Sequence, residues 1–353
     1  MKKKTVLVLG LLVGLSLFLG GCATGLTPSS WPAVASDGEL AFIAGGAHVY
    51  AVDLQTRAEV WRFPEKASAA TPFYAQPALT PDGQLIVGGF NHILYSLNPQ
   101  TGSENHSFTQ ARDRWIGGAL VTEDRIYAGN ADYNLYAFDF DLDLQWTFAA
   151  DQSIWGIPVT DGQTIYFGTL GRRLYAVDAA SGEQVWVQTL DGAILGSPVL
   201  DADGTLFVGT YGSLLYALDS ASGDVLWSEA VSSWIWTGPT LAGDQLLVGD
   251  GNGDMQAFSL DDGPALWTQS LNGMVIGSPT LTENSILVGT DAGTLYFIDR
   301  SGDNIRPFTV PGQVHSTPLL IGGQVLVPLS EGDALLVVLD LDGAQLWSFQ
   351  PEK

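Results

Sequence analysis

The sequence predicts an all-β fold, an eight-bladed β-propeller of four-stranded antiparallel blades, and three observations predict it. The first is a proline that opens one short apolar run per unit: Pro32, Pro77, Pro158, Pro198, Pro239, Pro279 and Pro318, with Gly118 in its place in the third unit. Its spacings are 45, 41, 40, 40, 41, 40 and 39 residues. The second is an aromatic that closes each unit: Trp61, Phe108, Trp146, Trp186, Trp227, Trp267, Phe308 and Trp347. Both markers count eight units, and a period near 40 is the signature of a repeat architecture. The third is the content of a unit. In residues 194–227 the runs GSPVL, TLFVGT, LLYALD and DVLW are separated by DADG, YGS and SASG. Short runs of Val, Leu, Tyr and Trp bounded by Gly, Asp and Ser read as strands and tight turns.

The chain opens on a segment outside the fold. Met1-Lys2-Lys3-Lys4 is basic, 5–19 is apolar and rich in small residues, and Leu19-Gly20-Gly21-Cys22 follows. The apolar run is shorter than a bilayer crossing needs and ends in a small-residue cleavage signal. It is similar to the lipobox of bacterial lipoproteins, which implies cleavage before Cys22 and acylation of its thiol. An uncleaved N-terminal anchor is the alternative. The lipoprotein reading also explains why the chain has one cysteine and no partner for it. Residues 1–21 are thus expected to be a signal peptide, 22–30 a lipid-anchored spacer and 31–350 the propeller. Losing three lysines with the signal leaves 11 basic against 38 acidic side chains, a formal −27. The acylated cysteine ties the domain to a membrane surface, and more than one acyl chain makes that tie stable.

The units follow at 31–64, 74–109, 115–149, 154–189, 194–229, 235–269, 275–310 and 314–350. Their third strands repeat a Tyr-x-x-Asp pattern, as in Tyr175–Asp178 and Tyr216–Asp219. A four-stranded blade has two apolar faces and cannot stand alone; eight in a ring cover one another's faces. An open solenoid needs polar caps, and a parallel β-helix has shorter coils. The tryptophans Trp61, Trp146, Trp186, Trp227, Trp267 and Trp347 are expected to dock between blades as structural residues.

The pattern G-x-LYALD-x-x-[ST]-G-x-x-x-W, clearest in 171–186 and 212–227, resembles the tryptophan-docking repeat of eight-bladed quinoprotein propellers, the PQQ-like repeat. Together with the lipobox, the layout is similar to the BamB family of lipoproteins of the β-barrel assembly machinery. That resemblance implies a scaffold for an envelope or membrane protein partner. The quinoprotein dehydrogenases are longer and carry an adjacent cysteine pair and a calcium ion, and this chain has no second cysteine. No cofactor, no metal and no catalytic residue is therefore expected.

Other chemistry finds little support. His48, His92, His106 and His315 lack zinc-motif spacing, and no phosphate loop or nucleophile elbow appears. Asp139, Asp141 and Asp143 read as a solvated turn, with a weak calcium site as the alternative. Turns one–two and three–four share one face of the ring, and their many acids make it negative. Nucleic acid is excluded as a partner by that charge.

The other face carries the two–three turns and the links between blades. It brings Arg112, Arg114, Arg172 and Arg173 into a mixed surface. The residue three before each marker is Ser29, Tyr74, Trp115, Trp155, Leu195, Trp236, Ile276 and His315, a column expected at the mouth of the central channel. Variation at a symmetric position, with aromatics and nearby arginines, is how binding is grafted onto a repeat; filling of the channel end is the alternative. The interaction face is expected to comprise Arg112, Arg114, Trp115, Trp155, Arg172, Arg173, Trp234 and Trp236. The expected function is a non-catalytic, lipid-anchored scaffold on the cell membrane or the periplasmic face of the outer membrane. A solute-binding or sensor propeller and a reduced quinoprotein enzyme are the alternatives.

Overall fold

The computed structural model describes residues 31–67 and 72–352. The expected signal peptide and Cys22 lie outside them. The described residues form 32 strands and no helix, arranged as eight separate four-stranded antiparallel meanders. Blade 1 consists of β1 (Ala33–Ser36), β2 (Leu40–Gly45), β3 (His48–Asp53) and β4 (Glu59–Phe63), paired in that order. Blades 2 to 8 repeat it over 78–108, 119–149, 159–189, 199–230, 240–270, 280–309 and 319–349. First strands touch first strands of neighbouring blades, so they line the centre of an eight-bladed propeller and the fourth strands form its outer edge.

The two middle strands of each blade are buried on both sides, which is why they read as continuous apolar runs such as Leu206–Val208 and Leu215–Leu218. Eight apolar clusters result, one at each boundary between blades. The cluster that closes the ring joins Val34, Ile43 and Tyr50 of blade 1 to Leu336, Val338, Trp347 and Phe349 of blade 8. Every blade is built from one continuous segment. Closure therefore rests on packing, assisted by Arg62, whose Nη1 donates to the Glu352 carbonyl at 3.1 Å.

The docking tryptophans sit on the next blade's three–four turn. The indole N–H of Trp61 donates to Pro99 O at 2.8 Å, that of Trp146 to Ala179 O at 3.1 Å, that of Trp186 to Ser220 O at 2.9 Å and that of Trp227 to Leu260 O at 3.1 Å. Beneath each ring lies a glycine with positive φ, Gly102, Gly182, Gly223 and Gly263 in turn, and Gly302 lies under Trp267 in the same way. A Cβ at Gly182 would stand 2.6 Å from the Trp146 ring. Trp61 and Trp347 are buried, but Trp146, Trp186, Trp227 and Trp267 are only half-buried, so these are edge docks more than core.

Two closing aromatics are not at the tryptophan position. Trp227 stands opposite Ala217, whereas His106 stands opposite Ser96 and Arg306 opposite Phe297. Phe108 and Phe308 lie two residues further on. Residues i and i+2 of a strand share a face, so Phe308 still reaches the neighbouring turn at Gly343.

Candidate functional site

Links and two–three turns are sewn together on one face. Leu170 N donates to Ser153 O (3.0 Å), Tyr211 N to Ala193 O (2.8 Å) and Gly251 N to Trp234 O (3.0 Å), and the same bond joins Phe90 to Pro72 and Ala131 to Arg114. Side chains reinforce the seam. In blades 4 and 5 a link aspartate accepts from a turn threonine: Asp151 from Thr169 and Asp191 from Thr210, both at 2.8 Å. Blade 6 writes the same bond in reverse, with Ser232 on the link donating to the buried Asp250 at 2.6 Å. These carboxylates are part of the scaffold and are not free for chemistry.

Each link then places three residues in fixed roles. The first is buried beneath the blade: Phe73, Trp115, Ile154, Ile194, Ile235, Val275 and Val314, none more than 1% exposed. The second points to the channel mouth: Tyr74, Ile116, Trp155, Leu195, Trp236, Ile276 and His315. The third is small, as in Ala75, Gly156, Gly196 and Gly277. A Cβ at Gly156 would stand 2.5 Å from the Gly196 carbonyl oxygen, so small residues let the inner strands approach backbone to backbone.

Trp115 is thus a correction to the expected face. It packs between blades 2 and 3, against Tyr136 at 5.5 Å between ring centroids, and Ile116 takes its place at the mouth. Leu120 stands opposite Tyr127 as Val159 stands opposite Tyr166, so Ala119 and not Gly118 occupies the proline position, and counting back from Gly118 lands one position early. Phe73 is buried in the same way.

The mouth is an aromatic bowl of about 440 Å³ lined by Trp31, Tyr74, Phe90, Arg114, Ile116, Trp155, Leu195 and Trp236. One chain of rings runs along its wall. Tyr211 stacks on Trp234 (5.5 Å, 18°), Trp234 meets Trp236 edge-on (6.0 Å), and Trp236 touches both Trp155 (6.2 Å) and Trp31 (5.1 Å). Opposite, Tyr74 packs on Phe90 at 4.2 Å, and the Arg114 guanidinium lies 5.1 Å from the Phe90 ring. The Trp155 indole N–H is buried and finds no acceptor among the described residues. His315 completes the ring 5.5 Å from Trp31, its Nδ1 2.8 Å from Ser330 Oγ. Burial pulls its pKa below the usual imidazole value, against the opposing pull of Asp291 and Glu331.

The four expected arginines are exposed on this face. Arg112 and Arg172 form no ion pair among the described residues; Arg172 holds a left-handed backbone at φ 68°. Arg114 lies 3.2 Å from Asp113 and Arg173 3.6 Å from Asp151, both loose surface pairs. Only Arg114 reaches the bowl. Phe90 and Tyr211, on two–three turns, escaped the sequence reading; the signal was there, since the equivalent turn positions hold Ala131, Leu170, Gly251 and Asp291.

On the opposite face the acids cap turns. Asp139 Oδ1 accepts from the amides of Asp141 (3.1 Å) and Asp143 (2.9 Å). Among the described residues no group of three or more His, Cys, Asp or Glu is placed to hold a metal ion. The bowl does not fit a polycarboxylate quinone with its calcium, because its wall offers one cation and no carboxylate.

Comparison with known proteins follows from this geometry. The family described as "Outer membrane protein assembly factor BamB" matches residues 45–154, 143–204, 199–276 and 263–353. The crystal structure of BamB from Moraxella catarrhalis shares the fold with a TM-score of 0.73 at 18% identity, over 86% of this chain and 94% of that one. The computationally designed Ika8 protein shares it with a TM-score of 0.76 at 14% identity, over 89% and 96%. No curated protein matches the chain. A designed propeller fits as well as a natural one, so the fold by itself carries no function.

Proposed function

The chain belongs to the family of the outer membrane protein assembly factor BamB, and from that premise we propose that it is a non-catalytic scaffold of the cell envelope, anchored by an acylated Cys22, that holds a membrane-protein assembly partner on its link face. The observation that carries this reading is the division of labour on that face. Asp151, Asp191 and Asp250 are committed to internal hydrogen bonds, whereas the four arginines and Tyr211 are exposed. Exposed Arg and Tyr and half-buried Trp around a rigid bowl are the residue types that anchor protein interfaces. Arg112, Arg114, Arg172 and Arg173 occupy blades 3 and 4 and their links, and Asp291, Glu331 and Asp333 occupy blades 7 and 8. Asp113, Asp132 and Asp151 lie among those arginines, so the face is mixed in charge and a partner would be matched by the placement of charges rather than by net sign.

The test is a pull-down of the anchor-intact protein from native membranes, compared with Arg172→Glu/Arg173→Glu. A specific envelope protein retained by the wild type and lost with the variant is the expected result. A partner set unchanged by the variant refutes this face. Small-molecule binding lost on Trp236→Ala, with no protein captured, would favour a solute-binding module in the bowl.

A further inference from the structure

The described chain begins inside the bowl. Trp31 is one of its walls, in contact with Trp236 and His315, and β1 leads from it down the channel. We infer that the aromatic mouth is the side of the propeller turned to the bilayer, with the Trp31, Tyr211, Trp234 and Trp236 cluster resting at the lipid headgroup layer. The inference rests on the lipid-anchored reading of Cys22 and adds that a partner is met at the membrane surface.

Three observations carry it. Cys22 and Trp31 are nine residues apart in the sequence, and nine residues span at most about 30 Å however they are arranged. Bringing the opposite face to the membrane would take the tether over a blade of four strands and down its depth. That path is roughly 40 Å, from about 4.8 Å per strand and about 3.3 Å per residue with the channel radius added. The tether is too short for it.

The second observation is the chemistry of the face. Tyr211 is 47% exposed, and Trp31, Trp234 and Trp236 are half-buried. Tryptophan and tyrosine prefer the boundary between headgroups and acyl chains, where an apolar ring and a polar edge are both satisfied. Arg112, Arg114, Arg172 and Arg173 on the same side can reach lipid phosphates.

The third is the charge of the far side. The turn carboxylates of Asp53, Asp178, Asp219 and Asp299 are half-buried and held below the ordinary aspartate range by backbone and side-chain donors. They remain ionised and are repelled by an anionic leaflet, which favours the same orientation.

The experiment uses the full acylated protein in vesicles of phosphatidylethanolamine and phosphatidylglycerol. A fluorescent donor is placed by Asn272→Cys, on the mouth face, or by Ala221→Cys, on the acidic face, and energy transfer to a headgroup-labelled lipid is measured. Transfer is expected to be several-fold stronger from position 272. Brominated lipid is expected to quench tryptophan emission, with much of that quenching lost in Trp234→Phe/Trp236→Phe. Equal or stronger transfer from position 221, or no quenching, overturns the orientation while acylation stands. A Cys22 that carries no acyl chain by mass overturns both the orientation and the anchored reading.

Discussion

Gly182 and Gly162 both hold left-handed backbone, with φ of 73° and 94°, but only Gly182 lies under a tryptophan ring. A Cβ at Gly162 meets nothing within 4 Å. Gly162→Ala is therefore expected to cost about 1 kcal/mol, the backbone term alone. Gly182→Ala adds overpacking and should cost about 2–4 kcal/mol in all, read from urea unfolding midpoints at constant slope. His315 gives a pH dependence. Its folded pKa lies below the ordinary imidazole value of about 6.5 because burial disfavours the charged ring. The unfolded chain then binds the proton more readily, so this contribution to stability is full above pH 6.5 and is lost as pH falls through the folded pKa. Melting temperatures measured between neutral and mildly acidic pH should fall less steeply in His315→Gln than in the wild type. At this scale the docking tryptophans were legible because the same residue recurs. Trp115 was misplaced because blade 3 has no proline and Ala119, not Gly118, takes its place in the register, and an error of one residue exchanges mouth for core.

The unit of variation above the residue is the sewn pair of link and two–three turn. Blades 4 and 5 place the acid on the link and the hydroxyl on the turn, and blade 6 exchanges them. The hydrogen bond is symmetric in donor and acceptor, so only the pair is constrained. Asp191→Ser should weaken blade 5 by leaving the buried Thr210 without its carboxylate partner, and Thr210→Asp should weaken it more by opposing two carboxylates. The double variant Asp191→Ser/Thr210→Asp recreates the blade 6 arrangement and should recover about 1–3 kcal/mol of the summed loss in a double-mutant cycle. Additive losses would show that the exchange in blade 6 depends on its surroundings. Strand pairing was readable in the sequence from period and turn residues. The sewn pairs were not, because they join residues 18 or 19 positions apart, and their two ends look like ordinary turn polar residues until the fold brings them together.

For the ring as a whole the question is whether the junction of blades 8 and 1 is a seam like the other seven. Leu336 at that junction and Leu215 between blades 5 and 6 are equivalent positions on third strands, and both are fully buried. With no strand exchanged between the first and last blades among the described residues, closure depends on the apolar cluster and the Arg62 bond to the Glu352 carbonyl. Leu336→Ala and Leu215→Ala should each cost about 2–5 kcal/mol, and by the same amount if the ring is closed. A markedly smaller loss at Leu336, with faster amide exchange in β1 and in the strand Gln345–Phe349, would mean that the junction opens before the rest of the molecule.

By itself the sequence determined the number of blades, four strands in each, the docking tryptophans and the sorting of turns onto two faces. These follow from local periodicity, which each unit repeats and which needs no knowledge of its neighbours. Only the tertiary structure decided which link residues reach the mouth, that Phe90 and Tyr211 join the bowl, that Trp31 forms its wall, and that every blade among the described residues is one continuous segment. Those properties belong to contacts between blades, where an offset of one or two residues turns a side chain to another environment. A pattern read within a unit does not contain that information.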